Sequence, residues 1–113
     1  RHNLVSPQQA VKLLCSLKGD SLNILVASLP VGGVDGTIKN RFKDFPAYTV
    51  QAKTGSMFGM SNLAGFVTFS KERKYAFAIF INNSPHSDKV LAEALDALLM
   101  KICVSLEVTN DLL

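Results

Sequence analysis

The chain has 113 residues, 48% of them apolar and 19% charged, with a net charge of +3. That suits one domain or part of one with a modest core, and it excludes a disordered chain. The twelve Lys and Arg and nine Asp and Glu do not gather into the basic face of a nucleic-acid binder, and no apolar run approaches the ~18 residues of a membrane span.

Ser6-Pro7-Gln8-Gln9 reads as a helix start, with Ser6 as cap, Pro7 in the first turn and Gln9 closing a capping box. Ala10, Val11, Leu13, Leu14 and Leu17 then repeat at helical spacing, and Gly19 is expected to end the run. Residues 21–29 are apolar enough for a short second helix or a buried segment, stopped by Pro30. Gly32, Gly33 and Gly36 make the next stretch a loop, with Asp35 or Thr37 capping a short helix that runs to Arg41. Neither dinucleotide-binding nor Walker spacing is present in that loop, so no phosphate cofactor is expected.

Asp44-Phe45-Pro46 is a second break. Three strand-like runs follow at 48–53, 63–69 and 75–81, joined by short connections. One connection is the mixed-charge run Lys71-Glu72-Arg73-Lys74, read as a hairpin tip. These predict an antiparallel meander. Residues 88–104 carry apolar side chains at 90, 91, 94, 95, 98, 99 and 102, one broad helical stripe that Ser84-Pro85 or Ser87 would open. The tail from 107 to 113 is expected to fray. The fold class is therefore α+β: a three-stranded antiparallel sheet covered by helices on at least one face.

Cys15 and Cys103 both sit among apolar residues and read as buried free thiols, with a disulfide between the two helices as the alternative. His2 and His86 lack ligand spacing and read as exposed loop residues, so no metal site is expected. The first residue, Arg1, leads us to expect a piece of a longer product, and no secretory signal pattern is present in these residues.

The chemistry concentrates in Lys53-Thr54-Gly55-Ser56, at the end of the first strand-like run. Side chains alternate along a strand, so Lys53 and Gly55 share one face and Thr54 points to the other. Gly55 lets a ligand approach the backbone, and the Ser56 N–H and C=O can bond a ligand lying along the strand. An N–H aimed at a reacting carbonyl is an oxyanion donor, and a lysine ammonium favours a carboxylate or assists a proton relay. The tetrapeptide alone is a weak signal.

Its surroundings are more specific. AKTGSMFGMSNLAGFVTF, with FAIFINN after it and LPVGGVDGTIKNRF before it, resembles the C-terminal part of the low-molecular-mass class C penicillin-binding proteins, the D-alanyl-D-alanine carboxypeptidase/endopeptidases. RHNLVSPQQAVKLL fits the same family, so the resemblance covers nearly the whole chain. It implies a β-lactamase/transpeptidase-like fold, with residues 1–113 the C-terminal portion of the catalytic domain. It also implies an envelope or periplasmic location and the partners peptidoglycan stem peptide and β-lactams. A serine in a Ser-x-x-Lys motif would attack the D-Ala-D-Ala carbonyl to give an acyl-enzyme. On this sequence Lys53 would attract the substrate carboxylate and tune the relay. Thr54 and Ser56 would hold that carboxylate through their hydroxyls, the Ser56 N–H would be an oxyanion donor, and Gly55 would give the substrate backbone room.

One part of that pattern is missing. None of the ten serines has lysine three residues on. Ser21-Leu22-Asn23 matches Ser-x-Asn, but it follows a helix end in an apolar run, whereas the family's motif lies much further upstream, so we read the match as chance. The chain is therefore expected to be inactive alone and to expose apolar surface that favours dimers. Two other readings stand beside this one: a class C β-lactamase or esterase relative, and a non-catalytic module that binds cell-wall peptide or a protein partner.

Overall fold

The computed structural model describes residues 5–43, 48–57, 59–70 and 73–112, with the side chains of 70 and 108–112 left aside. The break at Asp44-Phe45-Pro46, His2, and Lys71 and Glu72 of the charged run lie outside the described residues.

Helix α1 spans Pro7–Ser16. It opens on the expected capping box: Gln9 N–H donates to Ser6 Oγ at 3.1 Å, and Ser6 N–H donates to Gln9 Oε1 at 2.9 Å. Gly19 does not close it. The chain leaves the helix at Leu17 in extended conformation, and Gly19, at φ +60°, opens helix α2, Gly19–Ser28. Left-handed backbone suits glycine on either side of a helix boundary, so the residue alone does not tell a stop from a start. Helix α2 ends as Leu29, just before Pro30, is held extended.

The three runs form β1 (Thr49–Met57), β2 (Met60–Ser70) and β3 (Arg73–Ile81), an antiparallel meander in the order β1-β2-β3. Each strand is longer than its alternating core suggested. Lys53-Thr54-Gly55-Ser56 lies inside β1 rather than at its end, and Arg73 and Lys74 belong to β3 rather than to a turn. Gly59, at φ +71°, makes the tight turn that pairs Met57 with Met60.

One face of the sheet carries Val50, Ala52, Leu63 and Val67, with Tyr75, Phe77 and Ile79 opposite them on β3. Helix α3, Asp88–Leu112, covers this face with Leu91, Leu95, Leu99 and Cys103, each no more than 3% exposed. Burying each leucine side chain contributes about 2 kcal/mol. Ser87 is the residue that opens α3, its hydroxyl accepting Val90 N–H at 3.3 Å. The helix continues to Leu112, so the expected fraying from 107 is not what the structure shows. Glu107 is tied down instead: Tyr48 Oη donates to its carboxylate at 3.1 Å, and Tyr48 stacks on Phe69. The apolar stripe of α3 is used along only half its width, since Val90, Leu98 and Ile102 stay 40% or more exposed.

Helix α1 lies against β3. Neither α1 nor α2 contains a buried residue. Cys103 is buried and free as expected, but Cys15 is exposed, because α1 is covered by little else. His86 is exposed. No metal-holding cluster occurs among the described residues, and none of their helices is long and apolar enough to cross a membrane.

Candidate active-site wall

The free edge of β1 is half covered. Loop 30–38 lies along its first part, with Gly32 N–H donating to the Val50 carbonyl at 2.8 Å and Ala52 N–H donating to the Pro30 carbonyl at 3.0 Å. In an antiparallel strand the N–H and C=O of one residue point to the same side, and the side alternates. Val50 and Ala52 therefore face outward, and beyond the loop the next outward groups are those of Thr54 and Ser56. Among the described residues nothing is bonded to the outward N–H and C=O of Ser56.

Alternation also sorts the side chains. Lys53 and Gly55 stand on the face opposite α3, across from Ala64 and Asn62. The hydroxyls of Thr54 and Ser56 are on the α3 side, across from Leu63 and Ser61. The exposed Lys53 side chain curls over the edge, and its Nζ donates to the Thr54 carbonyl at 3.1 Å. So the structure brings the ammonium, the outward backbone of Thr54 and Ser56, and the two hydroxyls together around one strand edge.

Gly55 has a neighbour that sequence reasoning missed. A Cβ there would lie 2.5 Å from Asn62 Oδ1, so the Asn62 amide fills the space glycine leaves. Gly55, Ser56, Met57, Met60 and Asn62 line a hollow of about 240 Å³. Counting back along both strands from the Gly59 turn pairs Asn62 with Gly55, so the hairpin register carried that signal.

Loop 30–38 is rigid for identifiable reasons. Asp35 stands at the N-cap of a short 3-10 turn but makes no side-chain cap bond; its carboxylate accepts Val31 N–H at 2.6 Å instead, closing the loop on itself. The expected short helix is only a 3-10 turn, Gly36–Ile38. Ile38 is wholly buried in the sheet–α3 core. Gly36, at φ +65°, packs on Pro30 so closely that a Cβ would lie 2.5 Å from the proline ring. Thr37, read from the sequence only as a cap, places its hydroxyl 2.8 Å from the Thr54 hydroxyl.

A larger hollow of about 410 Å³ lies away from this edge, beside the Arg41–Asp96 pair. There Arg41 Nη2 meets Asp96 Oδ1 at 2.6 Å and Nε reaches both carboxylate oxygens at 3.1 Å, tying the loop to α3. Ser21 and Asn23 lie within α2 and are exposed.

Known proteins share both the sequence and this architecture. The model of the D-Ala-D-Ala carboxypeptidase 3 (S13) family matches residues 1–102. The chain belongs to this family. It is 40% identical over 92 residues to the D-alanyl-D-alanine carboxypeptidase DacB of Haemophilus influenzae, covering 78% of this chain and 19% of that protein. It is 37% identical over 109 residues to a D-alanyl-D-alanine carboxypeptidase of Actinomadura sp., covering 90% of this chain and 20% of the relative. A penicillin-sensitive carboxypeptidase A of Dictyostelium discoideum is 28% identical over 109 residues, covering 88% and 21%. The crystal structure of penicillin-binding protein 4 from Haemophilus influenzae superposes with a TM-score of 0.62 at 40% identity, over 78% of this chain and 20% of that one. The resemblance to D-alanyl-D-alanine carboxypeptidases of the penicillin-binding kind, read from the Lys-Thr-Gly stretch and its neighbours, is thus borne out, as is the α+β fold. The chain spans about a fifth of the length of these relatives.

Proposed function

We propose that these residues are the C-terminal portion of the catalytic domain of a serine D-Ala-D-Ala carboxypeptidase/endopeptidase, acting on peptidoglycan stem peptides in the cell envelope. The observation that carries the reading is the open edge of β1 from Lys53 to Ser56. The loop-covered part of the edge stops at Ala52, and the next outward backbone groups belong to Thr54 and Ser56. An extended peptide laid antiparallel on this edge would be held by its main chain, as an added strand.

In this reading the substrate's terminal carboxylate meets the Lys53 ammonium and the Thr54 and Ser56 hydroxyls. The Ser56 N–H points at the scissile carbonyl oxygen and stabilises the negative charge that builds there. A serine from the longer chain attacks the carbonyl carbon. Its proton passes through a base to the departing D-alanine amine, and the C–N bond breaks to leave an acyl-serine ester. Water then hydrolyses the ester and frees the serine. A β-lactam takes the place of the D-Ala-D-Ala amide and leaves a long-lived ester, which is the basis of penicillin inhibition. With no Ser-x-x-Lys among its residues, the 113-residue chain alone forms no ester. The exposed half of the α3 stripe and the bare face of α2 are covered by the rest of the domain or by a second copy, and sedimentation of the full-length protein separates those cases.

The test is the intact mass of the full-length protein after brief exposure to benzylpenicillin, with Lys53→Ala as the comparison. The expected result is a penicilloyl adduct on the wild type that forms at least tenfold more slowly in the variant, about 1.4 kcal/mol of lost transition-state stabilisation. A folded wild-type protein that forms no adduct overturns the reading.

A further inference from the structure

The Thr37–Thr54 hydroxyl pair is not explained by the loop's own stability. The loop is already closed by Asp35 on Val31, by the bond from Gly33 N–H to the Ile38 carbonyl at 3.0 Å, and by the burial of Ile38. Thr37 sits between the fixed residues Gly36 and Ile38, and it spends its hydroxyl on the Lys-Thr-Gly strand at 2.8 Å. Either oxygen can be the donor in the unliganded protein.

An anion removes that freedom. A hydroxyl has one proton, and a carboxylate only accepts. When Thr54 donates to a carboxylate, the Thr37 proton must point to Thr54 Oγ1. Thr37 then holds the Thr54 side chain in the rotamer that faces the ligand, and its donated bond polarises Thr54 into a stronger donor.

We propose that Thr37 is a positioning residue for carboxylate recognition, acting through Thr54; this rests on the carboxypeptidase reading above. It makes the glycine-rich loop a working part of the site as well as a cover for the strand edge. Thr37 acts through the bond that Thr54 donates to the ligand, and that bond is about twice as strong to a charged carboxylate as to a neutral ester, so its effect is larger on the acid.

The experiment uses the full-length protein with Thr37→Val, which keeps the shape and removes the hydroxyl, and Thr37→Ser, which keeps the hydroxyl. Acylation by benzylpenicillin and by its methyl ester is followed by intact mass, alongside kcat and KM on a D-alanine-terminated peptide. T37V is expected to acylate about five- to tenfold more slowly with the free acid, the worth of one hydrogen bond. Its loss with the ester should be clearly smaller, because the bond there is not charge-assisted, and its peptide defect should lie in KM. T37S is expected to behave as wild type, and T37V in a Thr54→Val background should add no further loss.

Equal losses on acid and ester, or additive losses in the double variant, overturn the proposal in favour of a purely structural role. An active wild type with an unchanged T37V overturns the role of Thr37 alone. A wild type that forms no adduct overturns the carboxypeptidase reading and this inference with it. If T37V melts below the assay temperature, Thr37→Ala decides by its free-acid to ester rate ratio: a ratio below that of the wild type supports the proposal, and a ratio matching the wild type overturns it.

Discussion

Gly65 is the most demanding position in the sheet, and replacing it with alanine tests how the wall is held. Gly65 lies opposite Ala52, the residue before Lys53. A Cβ at Gly65 would strike the Gln51 carbonyl oxygen and lie 2.6 Å from the Ala52 Cα, where ordinary contacts begin at 3.4 Å. These are main-chain atoms of β1, so no side chain can turn away to make room. The strands must part by about 1 Å, a fifth of their normal spacing. Overpacking of this kind costs about 1–3 kcal/mol. The displaced backbone is the one that aims Thr54 and Ser56 outward, and a misplacement of about 1 Å costs on the order of a hundredfold in rate. Gly55→Ala is the matched comparison, because its added methyl meets only the movable Asn62 side chain. G65A should therefore lose both urea stability and penicillin acylation in the full-length protein. G55A should stay within about 1 kcal/mol of wild-type stability and lose acylation alone, since its methyl enters the hollow beside Ser56. A G65A protein that unfolds at the wild-type urea midpoint and acylates at the wild-type rate would refute the argument that close β1–β2 approach fixes the wall.

Other predictions follow from the core and its thiols. Leu99→Ala removes a wholly buried side chain from the sheet–α3 layer and should cost about 3 kcal/mol in urea unfolding, within the usual range of about 2–5. Iodoacetamide at pH 8 should label Cys15 and spare Cys103 until the protein unfolds, as peptide mass mapping would show, because one thiol is exposed and the other buried. Burial, and secondarily the Glu107 carboxylate, pushes the Cys103 thiol up from about 9 to about 11. The unfolded chain therefore loses this proton first, so the contribution of Cys103 to stability is complete below pH 9 and is lost as pH rises through 11. Cys103→Ala should flatten that part of the stability–pH curve.

Much of this molecule was legible because its signals are local. The capping box at Ser6, the stop before Pro30, the three alternating runs and the 88–104 stripe each depend on residues a few positions apart. The wall itself was legible as a short motif, and the carboxylate proposed as its ligand was suggested by the types of Lys53, Thr54 and Ser56. What could not be read were pairings across long stretches of chain. Thr37 with Thr54, Arg41 with Asp96, and Tyr48 with Glu107 are set by how the layers pack, and no local periodicity encodes them. The same limit explains Cys15, whose apolar neighbours suggested burial in a helix that finds little to pack against. It explains Glu107 too, because an aromatic partner 59 residues away holds the tail in helix.

The meander has a kinetic consequence. Its strands join neighbours through tight hairpins such as Met57–Met60, so each pairing closes a short loop of chain. Hairpins of this kind form in about 1–10 μs, and folds built from local pairings assemble quickly. The motif-bearing strand can thus acquire its register, and the outward aim of Thr54 and Ser56, from its own hairpin and from α3. A folding sequence follows in which the Lys53–Ser56 edge takes its shape early, from contacts close to it in the chain.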